Sequence, residues 1–577
     1  MNETRERRRA VPSTPATPDY RVGFGRAEIS TFEPGMSMWG WGREDNVPRG
    51  VGEPLYARAM FVEGRDDGSA LAYVCADLGM IAAGLRVAVL DCLADEHSAL
   101  GLDPASVVLT ATHTHSGPSG FSHALFYDLA GPGFSQRVFD DLVRGIVRSI
   151  LDAHRRLVPA RLALGVGDVP REPPIAFNRS LDAYRQNAEV RGDVSAADAV
   201  DRAMTLLVAK DEDGVAVGAI SFFALHGTTV HGDQDLLHSD HKGLAATAFE
   251  RWARESAGAA EDFVAIFAQG AGGDVTPNSR PHRRRGFAIG PSDDDHESAR
   301  FVAEAEVETA RRIFVGDLRP LGGPMVCGLR HVDMEERPVA SSFVAGRRGV
   351  TTTEARLGLA MVEGTSEGPG PLWKLRAVDR LVHRLVHRLS HRQAPLGTGD
   401  PKIPFLSVGP GRRKRLLGRV DPLARRLGFI RHPIFQHVRR IEDRGVSVDR
   451  PPWIPTVLPV QLVHLGSFVL VALPNEPTTM AGARLRRSLE KELPGAHVQV
   501  QGYSNAYSGY VTTPEEYALQ RYEGAYTLFG MHTLAAFEEV LVGLAQAMSS
   551  PGFGPHDEPG PPLPTCTREE LAARAPV

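Results

Sequence analysis

The chain has 577 residues, 42% hydrophobic and 23% charged, with a net charge of −5. That composition supplies a large core, and a charge so close to balance makes no case for nucleic acid as a partner. No apolar run reaches the roughly 18 residues of a membrane-spanning helix, and Cys75, Cys92, Cys327 and Cys566 show neither CxxC spacing nor a disulfide pattern.

Residues 1–20 combine basic residues with Pro and Thr where a secretion leader needs an apolar core, which reads as a disordered tail. From 21 to 549, short apolar and β-branched runs alternate with helical patterns. The runs include SALAYVCADLGM, SVVLTATHTHSG, VGAISFFALHGTT, DFVAIFAQGAGGD, SFVLVALPNEPTT and HVQVQGYSNAY. The helical patterns cover 83–96, 134–154, 297–314, 479–493 and 522–548. Such alternation predicts an α/β fold, mixed β-sheets covered by helices. Within this body, 373–449 is a basic insertion: Trp373 to Arg440 holds 17 Lys/Arg against three acids, Asp379, Asp400 and Asp421. Its stretch AVDRLVHRLVHRLSHRQ sets Val378, Leu381, Val382, Leu385, Val386 and Leu389 on one helical face and His383, His387 and His391 on the other. That describes a surface helix with its stripe turned inward, or a basic amphipathic helix on an anionic lipid surface. Residues 550–577 are rich in Pro and Gly and are expected to be flexible, with a short helix from Thr567.

Five stretches place reactive residues just past apolar strands, where α/β sheets collect their ligands. In ATHTHSG, His113 and His115 are two apart, and on an extended chain such side chains share a face. In FFALHGTTVHGDQDLLHSDHKG, His226 follows its strand directly; His231, His238, His241 and three aspartates come after it. That density of imidazole and carboxylate suits a divalent metal such as zinc, although the later residues read equally as a polar loop. In LPNEPTT, Glu476 alone reads as an acid at a helix start, with Thr478 or Thr479 as the cap. Tyr503, Tyr507, Tyr510, Tyr517 and Tyr522 crowd into twenty residues, as packing, as a metal ligand or as an oxyanion donor. In AQGAGGDVTPN, Thr276 carries a hydroxyl to a strand end, where attack, hydrogen bonding and helix capping are all open to it. Two His, a Glu and a Tyr from four loops would make a mononuclear metal site at the C-terminal ends of strands, with an open face for water.

These stretches, with GFGRAEIS, CADLGMI, AFNRSLDAY and SNAYSGYVTTPEEYALQRYEGAYTLFGMHT, resemble the neutral/alkaline non-lysosomal ceramidases over roughly 21–548. The resemblance implies one Zn2+ per chain, held by His113, His226, Glu476 and Tyr510. It sets His115, Arg179 and Tyr522 where the family handles protons and polarises the amide carbonyl. Thr276 stands where the family has a serine often regarded as the nucleophile. Metal-activated water makes an attacking side chain unnecessary, so Thr276 is expected to hydrogen-bond rather than attack. The implied reaction is hydrolysis of N-acylsphingosine to sphingosine and a fatty acid, with a lipid amide as substrate and peripheral membrane contact through 373–449. The alternatives are a zinc amidase for another N-acyl compound and a non-catalytic lipid-binding relative. The family also carries a secretion leader and a C-terminal immunoglobulin-like domain. Neither is expected here, which points to a cytoplasmic protein, with secretion as the alternative.

Overall fold

The computed structural model describes residues 19–65, 68–129, 131, 133–369, 400–409, 433–446, 453–550, 553 and 560–576. Most of the basic insertion, including its patterned stretch at 377–393, lies outside these residues, as do residues 1–18. No helix among the described residues is long and apolar enough to cross a membrane.

Nine strands form the larger sheet: β1 (Tyr20–Glu28), β2 (Tyr56–Gly64), β3 (Ala70–Ala76), β4 (Val107–Ala111), β5 (Val158–Asp168), β6 (Ala203–Asp211), β7 (Ala216–Phe222), β8 (Val264–Ala268) and β9 (Arg319–Leu321). They run β8-β7-β6-β5-β1-β2-β3-β4 across the sheet, with β9 beside β5. The inner neighbours are antiparallel. The outermost pairs, β3/β4 and β7/β8, are parallel, and each is joined by a crossover helix: α1 (Ala83–Glu96) for the first, and, after α2 (Gln136–Arg155), α3 (Asp240–Ser256) for the second. Past α4 (Asp295–Phe314) comes a second sheet of β10 (Met325–Asp333), β11 (Val457–Leu465), β12 (Phe468–Ala472) and β13 (His497–Gln501). Its β12/β13 pair is again parallel, joined by α5 (Thr479–Glu492).

The parallel strands β4 (VVLTA), β8 (VAIFA) and β12 (FVLVA) are buried at every position. Parallel strands are covered on both faces and therefore read as unbroken apolar runs. Val107 and Leu109 of β4 join the core beneath α1 and α2, while Val108 joins the core shared with Phe468 and Leu470 of β12. Each such side chain contributes roughly 1.5–3 kcal/mol.

The larger sheet curls until its two ends meet: Thr114, past β4, and Gly227, past β7, form a parallel bridge. Asn505, past β13, docks the second sheet there, its amide donating to the Leu109 carbonyl (2.8 Å) and its side-chain oxygen accepting from the Leu109 amide (3.1 Å). Three strand-helix-strand units thus bring the C-terminal ends of their strands to one place.

The helix expected over 522–548 is two helices, Tyr522–Tyr526 and α6 (Thr533–Met548). The chain between them leaves the helical path, and the Leu528 and Phe529 carbonyls accept from the amides of Arg356 and Thr353. Thr478 caps α5 by accepting from the Ala481 amide. Of the C-terminal segment, residues 560–576 pack against the body and include α7 (Arg568–Ala573).

Candidate metal centre

His113 lies two residues past β4 and adopts a left-handed backbone (φ 63°). Its amide donates to the Leu78 carbonyl (2.9 Å), and its Nδ1 sits 2.6 Å from the Gly79 carbonyl. The Nδ1–H therefore belongs to Gly79, which leaves Nε2 unprotonated, its lone pair turned toward His115, His226 and Glu476. His226, past β7, repeats the device: Nδ1 lies 2.8 Å from the Gly272 carbonyl and Nε2 has no hydrogen-bond partner. Glu476, past β12, completes the set, its amide donating to the Gly509 carbonyl (2.8 Å). Its Oε1 accepts from the Tyr507 hydroxyl. Its Oε2 has no hydrogen-bond donor and lies 3.5 Å from Nε2 of His113 and 3.2 Å from Nε2 of His226.

Three ligand-type atoms converge here, and two of them, Nε2 of His226 and Oε2 of Glu476, have no hydrogen-bond partner, which is costly in a folded core. Tetrahedral zinc with bonds of about 2.0–2.1 Å holds its ligand atoms about 3.3 Å apart, so the observed spacing fits such an ion. Burial holds the His113 imidazole at about 4 and His115 well below its ordinary range, so both rings are neutral donors at physiological pH. Burial works against the Glu476 carboxylate, but His113, His226 and Tyr507 outweigh it and hold the acid below its ordinary value.

The supports continue outward. His241 at the start of α3 bridges the His226 carbonyl (2.9 Å) and Glu306 (2.6 Å), and Lys242 bonds Glu306 and the Phe223 carbonyl at 2.8 Å each. The SDHKG motif thus props the His226 loop from below. Trp39 meets His113, His115 and Tyr507 edge-on at 5.4–5.9 Å, and Trp41 meets His115 at 5.1 Å. Between them Gly40 (φ 114°) is obligatory, because a Cβ there would sit 2.5 Å from Cγ of His115.

The neutral/alkaline non-lysosomal ceramidase model, N-terminal part, matches residues 20–395 and 441–539. The chain belongs to that family. It is 34% identical over 548 residues to the neutral ceramidase of Pseudomonas aeruginosa, spanning 93% of this chain and 73% of that protein. It is 32% identical over 551 residues to the neutral ceramidase of Mycobacterium tuberculosis, spanning 91% and 77%. Among solved structures, a ceramidase complexed with C2 superposes with a TM-score of 0.73 at 32% identity, covering 92% of this chain and 75% of that one. The crystal structure of the Pseudomonas aeruginosa neutral ceramidase gives 0.72 at 30% identity, covering 96% and 77%. The break in the family match, 396–440, falls inside the basic insertion, whose first part therefore has a family counterpart.

In this ceramidase-family chain the remaining predicted residues form a second wall. His115 brings Nε2 within 3.2 Å of Nε2 of His113, and its Nδ1 is buried without a partner. The two rings converge because His113 turns left-handed, a geometry unlike the extended alternation expected of them. Arg179 is gripped on all sides: Nε donates to Glu523 (2.8 Å), Nη1 to Glu367 (3.2 Å), and Nη2 to the Gly273 carbonyl (2.8 Å) and the Tyr510 hydroxyl (3.1 Å). Tyr510 pairs with Glu476 in a short parallel bridge, and burial raises its hydroxyl well above the usual range. The Tyr522 ring lies under the Arg179 guanidinium, 5.7 Å from ring centre to Cζ. The Thr276 hydroxyl accepts from the Asn278 amide (2.8 Å) and stands beside Glu367. Burial pushes the Glu367 carboxyl up, and Arg179, His226, Thr228 and Thr276 together bring it below its ordinary value.

Residue-by-residue inspection of the sequence missed Glu367 and Glu523, and marked Tyr507 only as one of the clustered tyrosines. Glu523 and Tyr507 neighbour Tyr522 and Tyr510 in the tyrosine-rich stretch. Glu367 lies in the loop TSEGPG, where no pattern singles it out.

Proposed function

We propose that the chain is a zinc amidase that hydrolyses ceramide to sphingosine and a fatty acid, its metal site standing at the C-terminal ends of strands. The observation that carries the metal is the set of unsatisfied atoms: Nε2 of His226 and Oε2 of Glu476 face each other at 3.2 Å beside Nε2 of His113. These three would hold one Zn2+, with Tyr510, by family resemblance, as the fourth ligand. When bound, the ion polarises the amide carbonyl and makes water a competent nucleophile near neutral pH. The substrate comes from the family: its curated relatives are neutral ceramidases.

The chain's own residues do the rest. His115 stands neutral beside His113, able to take a proton from the attacking water and then pass it to the leaving nitrogen. Arg179 is immobilised by two carboxylates and keeps its charge fixed as negative charge develops on the amide oxygen. It also occupies a lone pair of the Tyr510 oxygen. Tyr522, stacked on Arg179, closes that wall. Thr276 orders the loop that presents Asn278 and steadies Glu367; its hydroxyl is engaged on both sides and takes no covalent part. Trp39 and Trp41 wall His115 with apolar surface suited to a lipid chain. The basic insertion supplies a contact with anionic lipid, expected to weaken with salt.

The test is fatty-acid release from labelled long-chain ceramide in detergent micelles. Release should stop with a zinc chelator and return with Zn2+. No release by zinc-loaded protein would move the substrate to another N-acyl compound. Purified protein that binds no zinc would overturn the metal site.

A further inference from the structure

The C-terminal segment makes contacts that the reaction does not explain. Arg574, at the end of α7, is fully buried. Its Nη1 donates to the His123 carbonyl (2.8 Å), and its own carbonyl accepts from the Phe134 amide (3.0 Å). The Cys566 amide donates to Nδ1 of His123 (3.2 Å), and Nη2 of Arg574 reaches the Cys566 sulfur (3.3 Å). Gly133 is required opposite: a Cβ there would lie 1.8 Å from the Arg574 carbonyl oxygen. Asp128 is buried in the same loop, and the Arg574 charge opposes the upward push of burial on its carboxyl. On the outer side Nη1 of Arg444 takes the carbonyls of Ala573 and Ala575, at 3.0 Å each, so that the C-terminal end of α7 is held from both sides.

The loop clamped this way, 119–129, starts four residues after His115 and carries Tyr127. The Tyr127 ring meets the Tyr507 ring edge-on (5.2 Å, 66°), and the Tyr507 hydroxyl bonds Oε1 of Glu476. We propose that Arg574 is a positioning residue for the metal centre: by pinning loop 119–129 it fixes Tyr127 against Tyr507 and so aims the Glu476 carboxylate. This rests on the zinc reading of His113, His226 and Glu476. Groups that orient a metal ligand from outside typically contribute about 10–100-fold to metal affinity.

The experiment measures zinc affinity of the full chain by chelator competition, with amide hydrogen exchange and ceramide turnover alongside. Arg574→Ala should weaken zinc binding about ten-fold, speed exchange in peptides covering 119–129 and leave the β7/β8 peptides protected. Its kcat should fall while KM holds. Arg574→Lys, which keeps the charge facing Asp128, should recover part of the affinity. Arg444→Ala loosens α7 without touching the loop, and should give a smaller loss in the same direction even if Arg574→Ala folds poorly. Unchanged zinc affinity in Arg574→Ala and Arg444→Ala would overturn the proposal, as would exchange that rises uniformly over the molecule. Zinc-loaded wild type inactive on ceramide would sink the substrate assignment alone, because affinity and exchange still decide the role of Arg574.

Discussion

The two walls of the site differ in a single respect. On the His113, His226 and Glu476 side, outward-facing atoms are bonded to backbone carbonyls or to Tyr507, while Nε2 of His226 and Oε2 of Glu476 are left unsatisfied. On the Arg179, Glu367, Glu523 and Thr276 side, the charges are matched within the protein: Arg179 sits between two carboxylates, and Glu367 between Arg179, Thr228 and Thr276. The open wall turns two converging atoms, Nε2 of His226 and Oε2 of Glu476, away from every protein donor, the arrangement a bound ligand would complete. The closed wall is complete without one and acts as a fixed field. Folding thus stores the polar groups for chemistry on one side and the electrostatic support on the other.

The largest effect should come from the open wall. Glu476→Ala or His226→Ala removes one of three converging donors, so bound zinc should be lost and hydrolysis should fall at least ~10³-fold. Metal analysis of purified variants checks this. A variant that keeps a full equivalent of zinc would erase the distinction between the walls.

Next comes the closed wall. Arg179→Ala should cut kcat by about 10²–10³-fold with zinc retained, since a preorganised cation is gone while the metal donors stay. The change also strands Glu367 and Glu523 as unpaired buried charges, costing about 3–5 kcal/mol of stability. A chemical denaturation curve beside the metal analysis separates the two walls: one change empties the site, the other weakens the frame and keeps the ion.

The open wall was far more legible in the sequence than the closed one. His113, His226 and Glu476 each follow an apolar run that a parallel strand must have, so the strand ends could be marked by pattern alone. The large sheet's order and curl could not, because pairing between distant strands leaves no local signature; nothing near Thr114 or Gly227 announces their bridge. The left-handed turn at His113 was hidden for the opposite reason. A non-glycine residue in that region is held there by its surroundings, the Leu78 and Gly79 carbonyls, and not by its own preference. Glu367 was invisible because its importance comes wholly from partners far away in the chain, 188 residues from Arg179 and 89 from Asn278. The tyrosine cluster was visible as composition, but Tyr507 bonded to Glu476, Tyr510 accepting from Arg179 and Tyr522 under its guanidinium could be told apart only in three dimensions.

Thr276 gives a finer probe. If it is part of the closed wall, Thr276→Ser keeps the hydroxyl and should stay within about two-fold of wild-type kcat. Thr276→Ala should lose roughly ten-fold, through a loosened Glu367 and Asn278, and about 1 kcal/mol of stability. Neither variant should change the pre-steady-state course of fatty-acid release. Mass-spectrometric trapping of an acyl group on Thr276 would move it from the frame into the chemistry.

The last effect, on stability and not on turnover, lies at the far end of the closed wall, where pH reads how tightly it is sealed. The Arg179 amide bonds the Asp274 carbonyl, Asp274 bonds Thr479, and the neighbouring cap residue Thr478 donates to Glu516 (2.6 Å). Burial, with Asp274 nearby, pushes the Glu516 carboxyl up to about 7. A buried acid raised this way binds its proton in the folded chain while the unfolded chain has already released it. Its contribution to stability is therefore full below about pH 4.5, is lost as pH rises toward 7, and is constant above that. The whole change is roughly 3 kcal/mol, one proton over about 2.5 pH units. Denaturation midpoints between pH 5 and 7 should fall along that slope in the wild type and flatten in Glu516→Gln. An equal slope in both would mean that water reaches Glu516, and that the wall is closed around Arg179 but open behind it.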